Sequence, residues 1–93
     1  MSKAEQPSYY LSLKSIFEQG SVVRMRDIEK IFPTHVAKDL KINHSRYIDK
    51  LYNPEKFSFD QIARFASLVD VDPQKISMII FKELKTRSKK LEK

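Results

Sequence analysis

The chain has 93 residues and a mass of 11.0 kDa, enough for one compact domain and too little for a second. Lys and Arg number 18 against 12 Asp and Glu, a formal net charge of +6 with pI near 9.6, which favours a polyanion or an acidic surface as partner without choosing between them. Cys is absent, excluding disulfides, thiolate metal sites and cysteine nucleophiles; a hydrophobic share of 41% argues against global disorder; and the longest apolar run, Met78 to Phe81, is too short for a signal peptide or membrane span, so a reducing cytoplasm is the expected compartment.

The chain contains one glycine, which disfavours hairpin sheets and phosphate-cradling loops and leaves an all-α fold, a compact bundle of five to six short helices. Residues 1–7 read as a flexible N-terminus, 8–84 as the helical domain and 85–93 as a basic C-terminal tail. Tyr10, Leu13 and Phe17, with Tyr9 and Ile16 beside them, predict a first helix from about Ser8 to Gln19, closed by Gly20 in a left-handed conformation. Met25, Ile28, Ile31 and Phe32 predict a second short helix that ends or bends near Pro33. Pro33 suits the first turn of the next helix, whose stripe is Val36, Ala37 and Leu40 and which stops near Lys41.

Asn43 is an N-cap for a further helix carrying Tyr47, Ile48 and Leu51, ended by Asn53 and Pro54. Ser58 to Gln61 matches a capping box and opens a helix with Phe59, Ile62, Ala63, Phe65, Ala66 and Val69 as its apolar positions. Asp72 and Pro73 cap the last helix, which faces the core with Ile76, Ile79, Ile80 and Leu84.

The catalytic inventory is thin. His35 and His44 are the only histidines, neither has a metal-ligand spacing, and no serine sits in a nucleophile elbow, so no enzyme activity, metal or cofactor is expected. The sharper signal is the pair of short helices from Pro33 to Leu51, where small Ala37 permits close approach and Val36, Leu40, Ile42 and Tyr47 fill the wedge. A helix-turn-helix has this construction: the first helix braces a second that offers its N-terminal turn to a DNA major groove.

Val36-Ala37-x-x-Leu40-x-Ile42-Asn43, the following Tyr47, and Phe59 to Val71 (FDQIARFASLVDV) resemble the phage-repressor and Cro type of helix-turn-helix regulator. The likeness spans about Ile28 to Ile80 and is nearest to small stand-alone bacterial regulators in which an Asn-Pro-Glu-Lys-Phe stretch, here Asn53 to Phe57, follows the recognition helix. It implies a five-helix DNA-binding domain, a bacterial cytoplasmic setting and a recognition helix over about 43–52. Two positions depart from the family pattern. Lys41 stands where the turn usually has glycine; a left-handed lysine costs about 1 kcal/mol, which predicts a slightly different turn. Lys50 stands at a late apolar position, its packing taken over by Ile48 and Leu51.

With Tyr47, Ile48 and Leu51 inward, Ser45, Arg46, Asp49, Lys50 and Asn53 turn outward. Base contacts are expected from His44, Ser45 and Arg46, the last bidentate to guanine, and from Asp49 to cytosine N4. Phosphate contacts are expected from Thr34, Lys38, Asn43, Lys50, Asn53 and Lys56. For each, an ordinary solvated polar residue is the plain alternative.

Met78 and Phe81 lie off the core stripe of the last helix. Either that helix is wedged into its own core, or the two residues form the seam of a homodimer suited to a twofold operator. A second class of function therefore stands beside DNA binding: a helical protein-interaction module that keeps the fold and binds through Ile76 to Phe81. Lys82 to Lys93 holds six basic and two acidic residues, four of the chain's six net positive charges, and without a lipid anchor binds membrane only weakly.

Overall fold

A computed structural model of the protein describes residues 8–91, with side chains over 10–88. The expected N-terminal extension, 1–7, and Tyr9's side chain lie outside the described residues. Five α-helices follow one another: α1 Ser8–Glu18, α2 Pro33–Leu40, α3 His44–Tyr52, α4 Phe59–Val69 and α5 Pro73–Leu91. Short 3-10 turns at Met25–Ile28 and Pro54–Lys56 lead into α2 and out of α3. No strand occurs among the described residues.

One core joins all five helices. It holds Tyr10, Leu13 and Phe17 of α1, Val36, Ala37 and Leu40 of α2, Tyr47 and Leu51 of α3, and Ile62, Phe65, Ala66 and Val69 of α4. Ile76 and Ile80 of α5 close it, and the Phe17 and Phe65 rings meet edge to face at 6.0 Å. Phe59 and Ala63, expected on the apolar side of α4, are exposed, Phe59 to 85%. At 100° per residue the stripe through 62, 65, 66 and 69 leaves position 59 about 70° and position 63 about 110° from its centre, which turns both toward solvent.

The helix ends are set by local chemistry. Gly20 takes φ 77° after α1, and the Ser21 N–H donates to the Ile16 carbonyl at 3.0 Å. Asp27 accepts the N–H groups of Val23 and Arg24, each at 3.0 Å, and so nucleates the first 3-10 turn in place of the expected second helix. Phe32 avoids the right-handed region ahead of Pro33 by adopting φ 45°, ψ 51°. Ser58 and Gln61 form the reciprocal box at α4, with both bonds at 3.0 Å.

Asp70 ends α4 in a left-handed conformation, φ 68°, and its carboxylate binds Lys14 of α1 at 2.8 Å. Asp72 caps α5 by accepting the Gln74 N–H at 2.9 Å.

Two expectations are corrected. Lys41 adopts the left-handed geometry of a glycine, φ 63° and ψ 38°, with Ile42 N–H bonded to the Ala37 carbonyl at 3.1 Å. The turn thus uses the left-handed conformation that a glycine would supply, and the strain is carried by an exposed residue whose side chain need not fit the core. The last helix does not stop at Leu84 but continues to Leu91, through the first seven residues read as a tail. Lys, Leu and Arg favour helix, and Arg87 pairs one turn back with Glu83 at 2.9 Å.

Candidate nucleic-acid interface

Ala37 is buried on α2, which packs against α3, and the left-handed Lys41, a bend at Ile42 and the extended Asn43 connect the two helices in three residues. Asn43 Oδ1 accepts the Arg46 N–H at 2.8 Å, leaving the amide NH2 of Asn43 as a donor at the exposed helix start. Tyr47 and Leu51 anchor α3 in the core, and Ile48 is half-buried.

That anchoring divides the outer face of α3 into two chemically different halves. In its first turn His44, Ser45 and Arg46 are exposed, and no side-chain partner among the described residues engages them. In its second half the polar residues are knit together. Asp49 receives Lys56 at 2.8 Å and Asn53 at 2.9 Å, while Lys50 donates to the Lys56 carbonyl at 2.8 Å. The hydrogen bond from Lys56 is the main cause that holds the Asp49 carboxyl below the usual carboxylate range, and the same bond raises Lys56.

The structure therefore places the sequence-derived residues in two groups. His44, Ser45 and Arg46, with Asn43 beside them, share one exposed end of α3, and Thr34 and Lys38 are exposed on α2. Asp49, Lys50, Asn53 and Lys56 form the internal clasp that ties the end of α3 to the second 3-10 turn. Lys41, not among the residues expected to meet DNA, is an exposed cation at the turn itself.

A second set of residues escaped the sequence reading. Tyr52, the last residue of α3, hydrogen-bonds Glu29 through its hydroxyl, lies 5.3 Å beneath the Arg26 guanidinium, and offers its carbonyl to Arg87 at 3.3 Å. Arg87 also binds Glu55 at 3.2 Å and shares with Arg26 the buried Glu83, at 2.9 and 3.2 Å. The signal was present in the spacing, because 76, 80, 83 and 87 continue one helical stripe into charged residues.

Met78 and Phe81 are exposed, to 59% and 64%. Among the described residues no group of three His, Asp or Glu side chains is placed to hold a metal ion, and no helix is long and apolar enough to cross a membrane. No family model, curated protein or solved structure matches the chain.

Proposed function

We propose that the protein is a sequence-specific double-stranded DNA-binding regulator that acts by occupying a site, with α3 in the major groove. The observation that carries this reading is the exposed first turn of α3, where three hydrogen-bonding side chains have no internal partner while the rest of the helix is bound up in the fold. Arg46 is suited to guanine O6 and N7, His44 to the same acceptors, and Ser45 to base or phosphate. Thr34, Lys38, Lys41 and the Asn43 amide surround that turn as phosphate donors, helped by the positive end of the helix dipole. Lys50, Asn53, Lys56 and Asp49 serve mainly to hold the helix.

Selection of sites from random duplexes at two salt concentrations tests the proposal. A consensus with steep salt dependence is expected, and Arg46→Ala should weaken binding by about 1–3 kcal/mol at the preferred site and flatten preference at one base pair. Failure to enrich any site would replace this reading by the helical protein-interaction module.

A further inference from the structure

An open groove of about 960 Å³ runs between α5 and the segment that follows α1. Its apolar floor includes Phe17 and Val22, both buried, and Val23, Met78 and Ile79; Val23 is 66% exposed and Met78 59%. None of its lining residues belongs to α2 or α3, so the groove is separate from the candidate DNA-reading surface.

Cations predominate in the groove. Lys75, Lys82 and Lys85 line it with no carboxylate paired to any of them among the described residues, and Asp72, at the start of α5, is the one exposed carboxylate in the lining. Lys75, Met78, Ile79, Lys82 and Lys85 share one face of α5 by their helical spacing. The lining carboxylate nearest the core, Glu83, is neutralised by two arginines. Its Oε1, like Arg26 Nε, is buried without a hydrogen-bond partner in the structure.

We infer that this groove is a docking site for an acidic amphipathic helix of another protein, its apolar stripe on Val23, Met78 and Ile79 and its carboxylates on the lysine rim. Apolar floor and cationic rim together select this occupant. The chain's own residues 1–7 contain one Lys and one Glu and only two apolar side chains, Met1 and Ala4, so they match neither feature. A second copy brings its own lysines to the same seam, and like charges across a twofold interface oppose it.

Fluorescence anisotropy tests this with a fluorescein-labelled peptide of about 14 residues, leucine at i, i+3, i+4 and i+7 and glutamate on the remaining positions. The expected result is binding at least about tenfold tighter than for the same residues shuffled out of helical register. Met78→Glu should abolish the difference. Lys82→Glu/Lys85→Glu should weaken the glutamate peptide and gain affinity for a version carrying lysine instead. All three positions are at least partly exposed, and unchanged circular dichroism and melting would show that the variants fold.

Equal affinity for the shuffled peptide would overturn the proposal in favour of plain polyanion attraction. Sedimentation equilibrium showing a dimer that Met78→Glu dissociates would assign the face to a second copy. Displacement of the peptide by random-sequence duplex, unchanged in Arg46→Ala, would assign it to nucleic acid. The sequence preference found by DNA site selection reads out the α2–α3 surface, none of which lines the groove, so either proposal can fail while the other stands.

Discussion

Tyr47 carries the core of the helix pair and also its one uncomfortable atom. The ring is fully buried, yet its hydroxyl has no hydrogen-bond partner, and burial pushes its pKa well above the usual tyrosine value. Removing the oxygen while keeping the ring should relieve that desolvation, so Tyr47→Phe should raise stability by about 0.5–1.5 kcal/mol in urea unfolding. The pH dependence has a definite sign. An acid whose folded pKa is raised keeps its proton in the native state, whereas the unfolded chain releases it near the ordinary value of 10.0. Wild-type stability should therefore fall as pH rises above that value, and the gap to Tyr47→Phe should widen there.

Glu83 is the opposite case, a buried carboxylate that two guanidiniums make tolerable. Glu83→Ala would leave Arg26 and Arg87 facing each other across a void. It should cost about 2–3 kcal/mol, less than for a fully buried pair because both arginines reach solvent. Chemical denaturation of the two chains checks this.

At the scale of elements, helix ends decide the geometry. Three helices end in a left-handed residue, Gly20, Lys41 and Asp70, and only the first is a glycine. Lys41→Gly should stabilise the protein by about 0.5–1 kcal/mol, seen as a higher melting temperature, because the relief of strain exceeds the added unfolded-state entropy. Asp70→Gly should gain less, since it also removes the partner of Lys14.

These ends explain what was legible beforehand. Asn43, Ser58, Gly20 and Asp72 act through neighbours within a few residues, so their roles were readable from spacing alone. Phe59 and Ala63 were misplaced because apolarity does not say which side of a stripe is its centre. The Asp49 clasp and the partners of Glu83 were not legible for another reason: the stripe of α5 marks Glu83 and Arg87, but the contacts join residues across a bend or from separate elements, up to 57 positions apart for Arg26 and Glu83. The exposed turn of α3, by contrast, was placed by a local cap and two buried anchors.

Over the whole molecule the positive charge is unevenly spread. Residues 1–81 carry 12 basic and 10 acidic side chains, while Lys30 to Lys50 alone holds five basic and two acidic. The remaining excess lies on the end of α5, a continuation of helix rather than a tail. Truncation after Arg87 keeps the Glu83 cluster and removes three lysines and one glutamate. Binding to a selected duplex should keep its sequence preference, with the slope of log K against log salt shallower by about 0.9 for each phosphate that the shortened chain no longer neutralises. Disappearance of that preference would place sequence reading on the removed segment.

The attachment of α3 has a mechanical consequence. Its C-terminal end is clamped by Asp49, Lys56, Arg26 and Arg87, Tyr47 props its middle, and its N-terminal end is tied only to α2 through the short turn at Lys41 to Asn43, so the helix acts as a lever held most firmly at its far end. Nine residues make a lever of about 13 Å, and a rotation of about 5° at the clamp displaces the tip by roughly 1 Å, a large fraction of a hydrogen bond's tolerance. The aim of the tip is thereby set at its root, by a carboxylate buried on another helix.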